Sequence, residues 1–232
     1  MIPDIILAAD IHQDPGELRQ DFNELVMLAN SIPTILVLNG DTFNFQPQGT
    51  DVYKETIEEL AAIRHRNGLT VFLEGNHDTQ EQLAKMLRGY DNFHVHKSMD
   101  WSFRGGTIIH IEHGHRWCPL WSWGLNEIAP TVTELMLRYS PRLWDWIGSK
   151  LGWTGVPKNE EQYHAVVLSV WSHALRYCTR HNCRCITAHT HKLGGVVELY
   201  DYGLDYIVVN PAPLATGSYM EISRERMELK SL

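Results

Sequence analysis

Five short apolar runs in this 232-residue chain stop in the same abrupt way. Ile5 to Ala9 ends in Asp10-Ile11-His12, Ile35 to Leu38 in Asn39-Gly40-Asp41, and Leu69 to Leu73 in Glu74-Gly75-Asn76-His77-Asp78. Thr107 to Ile111 ends in Glu112-His113-Gly114-His115, and Cys185 to Ala188 in His189-Thr190-His191. Short apolar runs bounded in this way read as buried strands. Strands that each deliver Asp, Asn or His at their carboxyl ends constrain the fold to one in which those ends meet, because chance placement would scatter such residues.

The intervening segments supply the helices. Leu18, Phe22, Leu25, Val26 and Ala29 recur at three- and four-residue intervals, which predicts a helix from Pro15 to Ile32 closed by Pro33. Asp51 to Asn67 is a second amphipathic stretch ended by Asn67-Gly68, and Thr79 to Leu87 a short third. Between the first two helices, Gly40 to Phe45 forms a loop rich in aromatics. Strand and helix alternating through residue 88 predict an α/β layer structure with at least one largely parallel sheet. Such sheets place their sites at the carboxyl ends of strands.

After His115 the pattern changes. Residues 116–181 lack clear strand signals and read as three helices, about Leu120 to Tyr139, Pro141 to Leu151 and Asn159 to Arg180, carrying seven of the eight tryptophans. Two uses fit this segment: aromatic packing in a helical subdomain, or a lid that offers aromatic surface to an apolar or base-bearing substrate, including one at a membrane interface. From Cys185 onward the chain is mostly β, at Val196 to Tyr200, Tyr206 to Val209, Tyr219 to Ile222 and Met227 to Leu229, with Asp201 to Asp205 as a hairpin connection. The expectation is a single domain over 1–232 with a helical insertion at about 116–181.

The formal charge of −8 argues against a broad electrostatic grip on extended nucleic acid, which needs clustered Lys and Arg. It does not exclude an anionic substrate, since bound cations would dominate the local field. Met1 to Asp4 leads straight into the first strand without a basic leader or apolar h-region, and no apolar run reaches the ~18 residues of a membrane span. The expected location is therefore cytoplasmic. Cys183-Arg184-Cys185 has the spacing of half a zinc site, but no second pair exists, and the four cysteines read as buried reduced thiols.

The strand-end groups are Asp10, His12, Asp41, Asn76, His113, His189 and His191. They are too few for two closed metal cages unless one is shared. They suffice for two adjacent divalent ions if a carboxylate, most simply Asp41, bridges both. Such a pair, ~3.5 to 4 Å apart, holds a bridging hydroxide as nucleophile and clamps a phosphoryl group for in-line attack. Nitrogen and oxygen donors without thiolate suit Mn, Fe, Co, Ni or Zn, and donor type alone does not choose among them; manganese is the first expectation.

These blocks also carry a resemblance. Asp10-x-His12, Gly40-Asp41, Gly75-Asn76-His77-Asp78, His113-Gly114 and His189-x-His191, in this order, resemble the five motifs of the calcineurin-like metallophosphoesterase superfamily. The resemblance implies a four-layer α/β/β/α sandwich of two mixed sheets and two divalent metal ions. Asp10, His12, Asp41 and His191 would hold one ion, and Asp41, Asn76, His113 and His189 the other. His77 would contact phosphate and protonate the leaving oxygen, with Asp78 orienting it; a general acid of this kind must stand beside the metals without ligating them. Within the superfamily the layout most resembles the UDP-2,3-diacylglucosamine hydrolases, in the aromatic loop, the helical insertion and the closing strands. Many of those enzymes have Arg at the position of His77 and Asp at the positions of Asn44 and His115.

Asn44, His115 and Arg116 are further candidates for substrate contact. His115 also reads as a ligand or a partner of one, and Arg116 as an ordinary ion pair. The expected function is hydrolysis of a phosphate ester, a phosphodiester or pyrophosphate, on a small lipid-linked or nucleotide substrate. A phosphomonoesterase of the same fold, protein phosphatases included, and a non-catalytic metal-binding scaffold are the alternatives.

Overall fold

The computed structural model describes residues 2–45, 49–64, 68–103, 106, 108–117, 160–190, 195–201, 204–210, 214, 217–224 and 226–232. Among the described residues the α-helices are α1 (Gln20–Ser31), α2 (Lys54–Arg64), α3 (Gln80–Met86) and α4 (Glu160–His181). The strands are β1 (Ile5–Ala8), β2 (Ile35–Asn39), β3 (Thr70–Leu73), β4 (Phe93–His96), β5 (Met99–Ser102) and β6 (Ile108–Ile111). They continue as β7 (Arg184–Ile186), β8 (Gly195–Asp201), β9 (Leu204–Asn210), β10 (Ser218–Ile222) and β11 (Met227–Ser231).

Two mixed sheets result. One has the order β11-β10-β1-β2-β3-β4, the other β5-β6-β7-β9-β8. In the first, β1 to β4 run parallel and β10 and β11 close the edge antiparallel. Period-two alternation assigns each strand to two cores. Ile5 and Leu7 of β1 join Val37, Val71, Ile109, Ile111 and Ile186 between the sheets. Ile6 and Ala8 point the other way, onto Phe22, Leu25, Ile57, Leu60 and Leu83 of α1 to α3. On the far side of the second sheet, Ala174 and Cys178 of α4 pack with Cys185 of β7. The layers are therefore α/β/β/α, the sandwich that the resemblance implies.

Several elements depart from the periodicity. The first helix begins at Gln20, not Pro15. Gly16 has φ +110, its amide goes to the Thr56 hydroxyl at 3.0 Å, and the Leu18 amide to a Glu59 carboxylate oxygen at 2.9 Å. These side chains of the second helical segment pull residues 15–18 out of helix. The Asp51 start is a 3-10 turn, Asp51–Tyr53, that leads into α2. The strands β4 and β5 carry no strand-like apolar run; β4 is an edge strand of alternating exposure, and β5 pairs only with β6 in its sheet. The predicted helices at 120–139 and 141–151 lie outside the described residues, whereas Glu160–His181 matches the third. The hairpin at 201–205 is seen as the antiparallel pair β8 and β9, with Asp201 opposite Leu204. Among the described residues no helix is long and apolar enough to cross a membrane.

Candidate metal centre

The carboxyl ends of β1 and β2 lie side by side because their parallel pairing continues past the strands. His12 donates its amide to Asp41 O at 2.8 Å and Gln13 to Thr42 O at 2.8 Å, and Gln13 and Phe43 form an isolated parallel bridge. The second sheet brings its own strand ends to the same place. The Ala188 amide donates to His113 O at 2.9 Å, and the His189 amide to an Asp10 carboxylate oxygen at 3.3 Å.

The backbone here is unusual. Five described non-glycine residues have positive φ, and four of them are the predicted ligands Asp10 (50°), His12 (51°), Asp41 (49°) and His189 (70°). Each such residue costs on the order of 1–3 kcal/mol and persists only where the surroundings impose it. Gly40, immediately before Asp41, is itself at φ +73, and a Cβ on it would overlap the His113 ring. A Cβ on Gly75 would overlap Asp41. Both glycines are needed because ligand-bearing segments approach their backbone directly.

Two groups of donor atoms converge within 4.8 Å of one another: His12, Asp41 and His77, and Asp41, His113 and His189. Asp41 belongs to both. Around His113 the detail is informative. Its Nδ1 donates to Asn39 O at 2.9 Å, while its Nε2 faces Asp41 Oδ2 at 3.2 Å, Asn76 Oδ1 at 3.3 Å and Asp10 Oδ1 at 3.9 Å. Oxygen acceptors gathered on one ring nitrogen call for a positive centre between them. Burial opposes a charge on His113, but Asp41 and Asp10 overcome it and push the imidazole up to about 10. Burial likewise pushes Asp41 up, yet His113, with His77 and His12, holds its carboxyl well below the ordinary value. The residues therefore fit a divalent cation: two carboxylates about 1% exposed, an amide oxygen and imidazole nitrogens with their outer faces already hydrogen-bonded.

His12 is oriented in the same manner. Its Nδ1 donates to Asn44 Oδ1 at 2.9 Å, so that Nε2 is the nitrogen that would coordinate an ion, and the Asn44 amide nitrogen bonds His12 O at 3.3 Å. Asn44, read from sequence as a substrate contact, thus fixes the ring of His12. Loss of such a partner typically weakens metal binding 10–100-fold. Asn44→Ala is expected to raise the metal concentration needed for half-maximal activity by about that factor, with the rate at saturating metal little changed.

His77 stands edge-on to His12, ring centroids 4.9 Å apart, and its amide donates to Asp41 Oδ1 at 2.8 Å. Asp78 has a task that its sequence context did not reveal. Its Oδ1 accepts from the amides of Asp41 (2.9 Å) and Gly75 (3.1 Å), and its Oδ2 from Thr42 (2.7 Å) and Phe43 (3.1 Å). Fully buried, it ties the Asp41 loop to the Gly75 loop. Burial and the Asp41 carboxylate push its carboxyl up, against the amides. Thr79, next in chain, caps α3 in a reciprocal box with Gln82, which fixes where this loop ends.

His115 is buried against the rings of His113 and His189, at centroid distances of 5.5 and 6.4 Å, outside both donor groups. Arg116 pairs with Glu74 at 2.9 Å, which is the ordinary ion-pair reading. His191 lies outside the described residues. The Asn39 carbonyl that orients His113 escaped the sequence reading because a backbone group leaves no residue-type signal.

The layered fold thus gathers nitrogen and oxygen donors into two groups at its strand ends, as a metal centre requires. The family model for calcineurin-like phosphoesterases matches residues 3–193, and the chain belongs to that family, whose members hydrolyse phosphate esters with bound metal ions. No curated protein matches. Among solved structures the chain is similar to a Thermus thermophilus protein at 12% identity, covering 100% of this chain and 99% of that one with a TM-score of 0.47. It is also similar to the phosphopantetheinyl hydrolase of Mycobacterium tuberculosis, at 14% identity over 100% and 96% of the two chains with a TM-score of 0.44. An NMR structure from Thermotoga maritima is 16% identical over 98% of each chain, with a TM-score of 0.45.

Proposed function

We propose that this chain hydrolyses phosphodiesters or pyrophosphates of small molecules, with two divalent cations, manganese first among them, held by Asp10, His12, Asp41, Asn76, His113, His189 and His191. The observation that carries the reading is Asp41: one buried carboxylate common to two donor groups. When bound, the cations would polarise the phosphoryl oxygens and lower the pKa of an attacking water. The protein's own residues do the rest. Asp41, kept ionised by its histidines, unites the two positions, and Asn39 and Asn44 aim His113 and His12. His77, half-buried beside His12, is the group placed to give a proton to the departing alcohol, while Asp78 fixes the loops that carry Asp41 and His77.

Specificity in this reading belongs to the segment between His115 and Cys183, a lid inserted in a single domain that spans 1–232. Its tryptophans suit a lipid-linked or nucleotide substrate and, at a membrane surface, peripheral contact. The cytoplasm is the matching location.

The test pairs two substrates with one variant. With manganese added, a bis-aryl phosphate should be cleaved faster than the mono-aryl ester; faster monoester cleavage assigns a phosphomonoesterase instead. His77→Ala should retain metal and lose about 10²- to 10⁴-fold in rate on alkyl esters, whose poor leaving groups need a proton, and much less on activated aryl esters. Equal losses on both would remove His77 from the role of acid.

A further inference from the structure

A second cluster of donor atoms shares no residue with the metal centre. At the end of α4, Asn182 turns into the left-handed region (φ 51), and the Cys183 amide donates back to Cys178 O at 3.2 Å. This is the six-to-one bond of a left-handed helix C-cap, a motif that also brings the side chains of its two bonded residues together. Here both are cysteines. Cys185, two residues further on and so on the same side of the extended chain, completes the group. The three Sγ atoms lie within 4.8 Å of one another, with Cys178 and Cys185 fully buried and Cys183 6% exposed. Trp117, Trp171, Leu175 and Tyr177 wall the cluster in.

A buried thiol by itself is a small hydrophobe with a weak donor. Three convergent thiols are a different object, because one disulfide would leave the third sulfur over and apolar packing does not need all three to point at one spot. We propose that Cys178, Cys183 and Cys185 form a site for one thiophilic cation of the Zn²⁺ or Cu⁺ class. Soft sulfur donors select such ions, whereas the nitrogen and oxygen donors of the other centre do not discriminate for them. Each S–H gives its proton to solvent as its sulfur–metal bond forms, so no oxidant or reductant is required. His110 lies opposite Cys185 in the β6–β7 register, but its Nδ1 is taken by Asp100 at 2.6 Å and its Nε2 by Glu112 at 3.3 Å. With both ring nitrogens engaged it stands beside the sulfurs as a fixed neighbour, not as a ligand. The ion would clamp the last turn of α4 to β7, the strand that runs on to His189.

Cadmium titration of the reduced, chelator-stripped protein tests this directly. Sulfur-to-cadmium charge transfer gives a near-ultraviolet band that the sulfur-free catalytic ligands cannot produce. The band is expected to saturate at one cadmium per chain, to disappear in Cys178→Ser and Cys185→Ser, and to persist in Cys118→Ser. A wild-type protein without the band overturns the site, whatever the serine variants do to folding. So does a band that survives in Cys178→Ser/Cys185→Ser, or one lost in Cys118→Ser alone.

Discussion

Asp41→Ala should lose both metal ions together and slow phosphoester hydrolysis on the order of 10³-fold or more, the equivalent of several kcal/mol of transition-state stabilisation. The reason is geometric. Asp41 is the residue common to the group with His12 and His77 and the group with His113 and His189, and its Oδ2 lies 3.2 Å from His113 Nε2. His12→Ala, by contrast, touches one group and should mainly weaken one metal. Asp41→Asn is the shape-preserving companion: its carbonyl oxygen can still accept the His77 amide, which Asp41 Oδ1 now accepts at 2.8 Å, so a folded variant with neither metal isolates the charge. Elemental analysis of the three variants decides the matter. If Asp41→Ala and His12→Ala each shed a single ion, Asp41 is not shared.

Asp78→Ala should be the most destabilising single change in the site, about 3–5 kcal/mol in total, because each buried amide left without its acceptor costs on the order of 1–3 kcal/mol, partly relieved by relaxation of the loops. There are four such backbone amides, of Asp41, Thr42, Phe43 and Gly75, in a place from which water is excluded. At ~2–4 °C per kcal/mol for a chain of this size, the thermal midpoint should fall by roughly 6–20 °C. Metal content should fall with it, since the Asp41 loop is what the carboxylate holds. A variant that kept its midpoint and metals but lost rate would instead assign Asp78 to orienting His77.

These two aspartates show where the sequence was readable and where it was not. Asp41 was visible because a polar residue ends an apolar run, and such runs pack as strands whether or not their neighbours are known. The same signal exposed Asp10, His12, Asn76, His113 and His189 as strand-end groups and, with the helices between them, an α/β alternation; the four-layer arrangement came from the family resemblance. Asp78 was seen as a motif residue, but its four backbone partners come from two loops up to 37 positions away and have no side-chain signature. The bond from His12 to Asn44 was hidden for the same reason, the two being 32 positions apart. The start of α1 was hidden because Thr56 and Glu59 compete for the amides that would have extended it. Strands β4 and β5 were missed because edge strands need no continuous apolar run. The cysteine cluster required knowing that α4 ends in a left-handed cap, which alone carries Cys178 onto Cys183.

The most direct measurement is a metal titration of activity. Protein stripped by chelator should be inactive toward a bis-aryl phosphate, and manganese added back should restore hydrolysis to a plateau at two equivalents bound to the nitrogen and oxygen centre, in wild type and in Cys178→Ser alike. Full activity in the stripped protein, or a plateau reached with a single bound ion, would contradict a two-metal centre built around Asp41.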